Sequence, residues 1–447
     1  MWGGVWEMVA ASRDQDLFER KESRVRSYCR NYPIVLAFAE GATVVDDAGR
    51  RYIDFLAGAG ALNYGHNHPA IKRKVIDYIE SNGITHSLDL HTSAKHDFIS
   101  AFDSIILSQR RLDYKMAFPG PTGTNAVEIA LKFARRATGR QTVIAFTNAY
   151  HGMTQGALAI SATRSKRAGA GMPLSGVFRA PFDGYMGIEV DTADLLEKLL
   201  DDPGSGLDEP AAIIIETVQA EGGLNVASVP WMKRIARLAH KHGAALILDE
   251  VQTGCGRTGS FLSFEQYGIH PDIVCLSKSL GGMGLPMSLV LVRPEFDVLA
   301  PGQHNGTFRG NNLAFVAATA ALEMWKNPEF ERSVSQKALM IRKRLETIVD
   351  RYPDAGANVR GLGMLIGIGW NDRSIAGRVS QEAFSRGLII ETSGAAGNVL
   401  KLLPPLTATE SELGAGLDII EASVKSVFHS RLQTVTHYEL TADNASL

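Results

Sequence analysis

The sequence predicts an α/β protein: a mostly parallel, doubly wound large domain with a smaller α+β domain built from N- and C-terminal segments. Two observations predict it. From about residue 114 to 296, short aliphatic runs alternate with amphipathic helical stretches, the pattern of a parallel sheet covered by helices. Outside that span the pattern changes, with apolar/polar alternation over 23–57 and mixed helix and strand signals after about 327. The expected division is an N-terminal extension (1–22), a first small-domain segment (23–75), a large domain (76–326), the rest of the small domain (327–432) and a polar, fraying tail (433–447).

Bulk properties narrow the class. With 447 residues, two or three lobes are expected. Hydrophobic residues at 45% and charged residues at 21% suit a soluble globular protein, and a formal net charge of −2 gives no electrostatic case for nucleic acid or an anionic membrane. No apolar run approaches the roughly 18 residues of a membrane span. Residues 1–10 are mildly apolar but lack the basic start and long apolar centre of a signal peptide, so they read as an extension or docking arm. Cys29, Cys255 and Cys275 have no metal spacing; so sparse a set suits reduced thiols in a cytoplasm.

Taken in order, residues 35–55 predict a hairpin turning at 46–49. The loop LAGAGALNYGHNHP (56–69) carries Gly58, Gly60 and Gly65, as if its backbone passes close to something. His66 and His68 lack helical ligand spacing, which disfavours a metal. A helix over 69–81 follows. In YKMAFPGPTGTNAVEIALKFA (114–134) a strand breaks at Pro119-Gly120-Pro121. A helix then starts at 122–125, with Ala126, Ile129, Ala130 and Phe133 on one face. Free N–H groups and the helix dipole at that start suit a phosphate, with Gly123 and Thr124 the candidates and an ordinary N-cap the alternative.

The strand TVIAF leads to Tyr150, whose ring could stack on a planar ligand. The strand AAIIIE ends at Glu216, and the helix WMKRIARLAHKHG closes on Gly243. Residues 243–284 organise everything else. One buried-strand run, 244–248, ends on Asp249-Glu250-Val251-Gln252, and the next, 272–276, ends on Ser277-Lys278. An acid and a lysine at neighbouring strand ends suit pyridoxal 5′-phosphate, which needs an amine to attach to and a carboxylate to keep its ring nitrogen protonated. Later, HNGTFRGNNLAF (304–315) is a polar loop entering a helix, with Thr307 as a hydroxyl donor. Beyond 327 come a helix, the strands GMLIGIGW, GLIIET and NVLKLLPPLT, and a final helix.

Together these residues resemble the class III (ω-amino acid) aminotransferases of fold type I, from about residue 23 to 428. The resemblance implies pyridoxal 5′-phosphate as cofactor. Gly123 and Thr124 would form the phosphate cup and Tyr150 would stack on the ring. Asp249 would pair with the ring nitrogen, Gln252 lie near the ring hydroxyl and Lys278 carry the cofactor. Lys278 would need a lowered pKa to be neutral part of the time. Thr307 would reach the phosphate from the other subunit of a homodimer with a shared active site. No metal is implied.

Two departures bear on substrate. Met153 stands where 4-aminobutyrate aminotransferases carry an arginine after Tyr-His-Gly. Lys401 stands where the family has an arginine facing the glutamate of a QxEGG motif, retained here as Glu221. Lysine is a point charge where arginine offers a bidentate fork, so the carboxylate clamp is altered. Glu221 and Lys401 become substrate-binding candidates, as a pair that stays closed for an ω-amine and opens for a carboxylate. Arg26 is a candidate replacement guanidinium, with a surface arginine as the alternative. The substrates implied are small amino acids and keto acids or aldehydes. Ornithine, 4-aminobutyrate and specialised-pathway aldehydes stay open, as does a non-catalytic scaffold, which would be expected to erode Lys278, Asp249 or the phosphate cup.

Overall fold

The structure is a computed structural model that describes residues 16–443. Most of the expected N-terminal extension, residues 1–15, lies outside the described residues.

Strands β1 (Leu36–Glu40), β2 (Thr43–Asp46) and β3 (Arg51–Asp54) form an antiparallel meander. The single hairpin expected here has a second turn. Gly41, at φ +56°, supplies the first. The second is the expected one, where the Asp46 carboxylate accepts from the Ala48 and Arg50 N–H groups.

The large sheet contains β4 (Lys115–Ala117), β5 (Val143–Phe146), β6 (Val177–Ala180) and β7 (Ala212–Ile215). A short ribbon of β8 (Val218–Gln219) and β9 (Asn225–Val226) interrupts it, and β10 (Ala245–Asp249), β11 (Ile273–Leu276) and β12 (Leu289–Val292) complete it. Its order is β4-β12-β11-β10-β7-β5-β6, and only β12 runs antiparallel to its neighbours. The aliphatic runs are unbroken because both sheet faces are covered. Ile214, Ile247 and Cys275 pack with Ala126, Ile129 and Phe133 of the helix Gly123–Thr138. Ile213, Leu246 and Leu248 share a core with Trp231, Ile235 and Leu238 of the helix Val229–Lys241. Each Ile, Leu or Phe among them contributes roughly 1.5–3 kcal/mol on burial, so the β10 and β11 carboxyl ends sit on a rigid base.

The late strands are β13 (Ala357–Leu362), β14 (Leu365–Trp370), β15 (Leu388–Ile389), β16 (Glu391–Ser393) and β17 (Val399–Leu402). The run GLIIET, expected as one strand, is divided. β15 joins the first sheet, parallel to β3 with Leu388 opposite Ile53, while β16 closes the sheet β13-β14-β17-β16. That division ties the beginning and end of the chain together. β13 has no counterpart in the sequence reading, because its residues are mostly half-buried and Gly361 interrupts its apolar pattern. The last helix, Glu410–Asp443, continues past residue 433 where fraying is expected; extending a formed helix fixes one residue per hydrogen bond gained.

Arg257 joins the halves. Its fully buried guanidinium donates to Asn63 Oδ1, to Pro404 O at 2.6 Å and to Met364 O at 3.2 Å.

Candidate active site

The carboxyl ends of β10 and β11 deliver Asp249 and Lys278. Lys278 lies in the left-handed region at φ +52°, a conformation that costs roughly 1–2 kcal/mol for a residue with a Cβ. Its Nζ donates to Ala59 O at 2.9 Å, and the Gln252 side-chain amide donates to the same oxygen at 3.0 Å. Ala59 belongs to a turn in which Ala57, Gly58 and Ala59 all have positive φ. Ser279 Oγ donates to Gly60 O and accepts from the Asn63 N–H, tying that turn to the lysine. The close backbone approach expected of residues 56–69 is thus an approach to Lys278. Burial lowers the Lys278 pKa to about 8, with Glu221 opposing the change and Lys401 adding to it.

Asp249 is held from two sides. Its Oδ2 lies 2.7 Å from His151 Nδ1, and its Oδ1 accepts from the Val251 N–H. His151 is buried and its Nε2 has no hydrogen-bond partner among the described residues. Tyr150 precedes it, with its N–H donating to Glu216 Oε1 and its ring 3.9 Å from Lys166 Nζ. The start of the helix Gly123–Thr138 abuts this corner: a Cβ on Gly123 would lie 2.6 Å from Val251 Cγ1, and one on Gly152 2.5 Å from Thr124 Oγ1. Thr124 Oγ1 is bonded to Thr154 Oγ1.

Lys401, on β17, is fully buried. Its Nζ lies 2.6 Å from Glu221 Oε1, 3.0 Å from Glu391 Oε1 and 3.5 Å from Gln252 Oε1. Burial disfavours its charge, but Glu391 and Glu221 outweigh burial and raise its pKa. Burial would likewise raise Glu221, yet the charges of Lys401 and then Lys278 pull its carboxyl down to about 2.

The structure therefore brings Gly123, Thr124, Tyr150, Asp249, Gln252, Lys278, Glu221 and Lys401 into one region. It does not bring Arg26 there by any bond among the described residues. The Arg26 guanidinium pairs with Glu19 at 2.8 Å and Glu22 at 3.5 Å. Thr307 lies on an exposed loop, its carbonyl 2.9 Å from His86 Nε2. Two further members have no counterpart in the sequence reading, His151 and Glu391, and Tyr28 lies close enough to feel the charge of Glu391. Burial, then the charges of Glu391 and Glu221, raise the pKa of Tyr28, whose neighbour Arg26 was the sequence candidate. Glu391 meets Lys401 only through the register of β16 on β17, where the two are directly opposed.

A lysine of lowered pKa, a buried acid oriented by a histidine and a helix start too tight for a Cβ make a site for a cationic ring bearing a phosphate. Residues 26–424 match the family Aminotransferase class-III. The chain belongs to the class III aminotransferases. Among relatives of this aminotransferase, the diaminobutyrate–2-oxoglutarate transaminase of Halalkalibacterium halodurans is 51% identical over 418 residues, 94% of this chain and 98% of that one. The diaminobutyrate–2-oxoglutarate transaminase of Nocardia farcinica is 53% identical over 417 residues, 93% and 95% of the two chains. Among solved structures, the ornithine aminotransferase of Toxoplasma gondii superposes with a TM-score of 0.81 at 27% identity, over 94% of this chain and 96% of that one. The acetylornithine aminotransferase of Elizabethkingia anophelis gives 0.74 at 28% identity, over 92% and 98%. A second T. gondii ornithine aminotransferase structure has pyridoxal phosphate at partial occupancy in its active site. The class III aminotransferase described here has the fold-type I architecture that its sequence predicts.

Proposed function

We propose that this class III aminotransferase moves an amino group from L-glutamate to L-aspartate 4-semialdehyde, giving 2-oxoglutarate and L-2,4-diaminobutyrate. The observation that carries the reading is identity of about half the residues, over more than nine-tenths of the chain, with transaminases of that name. The blocks ESRVRSYCRNYP, DFLAGAGALNYGHNHP and NGTFRGNNLAF also resemble the enzyme that supplies this diamine for ectoine synthesis.

Pyridoxal 5′-phosphate is the cofactor; when bound it supplies an electron sink for the carbanion formed as the amine-bearing carbon loses its proton. Lys278 would carry it between turnovers, and during a turnover its freed Nζ, neutral above about pH 8, would take the proton from the amine-bearing carbon of the substrate. Asp249, oriented by His151 and the Val251 N–H, would pair with the ring nitrogen. Tyr150 would lie against the ring, Gln252 near its hydroxyl, and Gly123 and Thr124 would hold the phosphate at the helix start. Glu221 closes on Lys401 for the diamine and opens to admit a carboxylate of glutamate; the 2.6 Å contact supports the closed arrangement.

The enzyme works as a homodimer with a shared site, Thr307 of each subunit serving the other. Ile84, Leu88, Leu90 and Phe308, all exposed near that loop, support a partner surface there. No helix among the described residues is long and apolar enough to cross a membrane, and Cys29, Cys255 and Cys275 are free thiols, which supports a reducing cytoplasm.

Single-turnover spectra of the holoenzyme test the reaction. The cofactor band should be lost with L-2,4-diaminobutyrate and with L-glutamate, and hardly with L-ornithine or 4-aminobutyrate. Bleaching by ornithine instead would favour the second reading, an ornithine-type ω-aminotransferase, which the likeness to the T. gondii structure supports.

A further inference from the structure

Lys401 faces two carboxylates where one would balance its charge. Glu221 reaches it from the turn after β8, and Glu391 from the directly opposed position on the neighbouring strand. The two acids differ in freedom. Glu221 keeps 21% of its side chain exposed and also lies 3.9 Å from Lys166. Glu391 is held by strand register at 7% side-chain exposure. Its Oε1 lies 3.0 Å from Lys401 but has no well-aligned hydrogen-bond donor among the described residues. Burial raises the Glu391 pKa; Lys401 counters this only in part, and the Glu221 charge adds to the rise. A carboxylate so placed is under-compensated and gains from a second cation.

The reaction proposed above brings two kinds of head group to this pocket. Glutamate reacts at its α-amine and extends only carboxylates beyond it. The diamine and the semialdehyde react at the far end and must place an α-ammonium, beside their α-carboxylate, away from the reacting atoms. An ammonium taken out of water without an anionic partner is strongly disfavoured. We infer that Glu391 is a specificity residue that receives the α-ammonium of the ω-amine substrate, so that the pocket selects diamines bearing an α-amino acid head over simple ω-amines. Lys401 then holds two acids because only one of them, Glu221, is released when glutamate enters. The inference rests on the diaminobutyrate reading.

The test compares kcat/KM of the holoenzyme and its Glu391→Gln and Glu391→Asp variants for L-2,4-diaminobutyrate, 4-aminobutyrate and L-glutamate. The glutamine variant should lose about 30-fold or more with the diamine, mostly in KM, and change less than about threefold with the other two. The aspartate variant should recover part of the loss. Calorimetric affinity for L-homoserine, which keeps the α-amino acid head, should fall alongside, while that for 4-hydroxybutyrate should not. Equal losses on all three substrates would make Glu391 a positioning residue for Lys401 and overturn the inference alone, as would unchanged kinetics with the diamine. A wild-type enzyme that takes 4-aminobutyrate as readily as the diamine would overturn the substrate reading and this inference with it.

Discussion

His151 Nδ1 lies 2.7 Å from Asp249 Oδ2 in a fully buried contact, so the acid at the end of β10 is aimed by a residue almost a hundred positions earlier. Burial works against a charged His151, but the hydrogen bond and charge of Asp249 outweigh it and raise its pKa. A raised histidine pKa contributes stability that is complete below the unfolded value, about 6.5, and is lost as pH rises through the folded value. Replacing His151 by glutamine should therefore destabilise the protein more at pH 6 than at pH 9 in chemical unfolding. The same variant should weaken cofactor retention at both pH values, because Asp249 loses its orienting partner. A pH-independent difference in unfolding free energy would mean that the imidazole is neutral throughout.

Lys278 gives a second pH signature. Its ammonium is pushed down to about 8 by burial, against about 10.4 in an unfolded chain. Between those values the unfolded chain binds the extra proton, so stability should rise with pH from about 8 to 10 and the burial penalty should be complete below 8. The rate at which apoprotein captures pyridoxal phosphate should climb with pH and level off above about 8, since only the neutral amine attacks. Stopped-flow absorbance would read the profile; a midpoint above 10 would place Lys278 in water.

Much of this site was legible because its chemistry sits where strands end. Asp249 and Lys278 follow unbroken aliphatic runs, and Gly123 follows a proline break, so each is marked by a change of local pattern. Glu391 carries the same mark, an acid closing the aliphatic run 388–390, but its partner does not: its meaning arises only when β15 and β16 go to different sheets and β16 aligns on β17, opposite Lys401. Arg26 and Tyr28 show the same limit from the other side. Both are polar residues in one irregular segment, and only the tertiary path decides that Tyr28 senses Glu391 while Arg26 pairs with Glu19 and Glu22.

Lys401→Met should be severely destabilising despite leaving an apolar side chain in a buried position. It would strand Glu221 and Glu391 together, and breaking a buried pair from one side costs about 3–5 kcal/mol. Adding Glu391→Gln to that variant should recover a part of the loss, because one uncompensated charge is removed. Denaturant unfolding of the three variants measures both; strict additivity would show that Lys401 and Glu391 are not energetically coupled.

Arg257 should behave as a structural counterpart without a carboxylate. Burial pushes its pKa down, and its guanidinium is satisfied by Asn63 Oδ1 and by the carbonyls of Met364 and Pro404. Arg257→Met leaves those acceptors unpaired, at about 1–3 kcal/mol for each one that stays buried. The expected result is a lower thermal midpoint and easier proteolysis near residues 362–404, with little change in the Lys278 profile. A shifted profile would show that this clamp also positions the lysine.

The phosphate cup can be tested through a steric pair. A methyl group at residue 123 would sit 2.6 Å from Val251 Cγ1, so Gly123→Ala must push the start of its helix away from the turn that follows Asp249. The helix itself tolerates alanine well, so the damage should fall on the cofactor and not on the fold. Pyridoxal phosphate affinity, followed by absorbance during dialysis, should drop about 10-fold or more, equal to roughly 1.4 kcal/mol. Removing the obstacle should reverse it: Gly123→Ala combined with Val251→Ala should bind the cofactor better than Gly123→Ala alone, although Val251→Ala by itself removes apolar contacts. If the double variant binds no better, the glycine is needed for direct backbone approach to the phosphate, and its contact with Val251 is incidental.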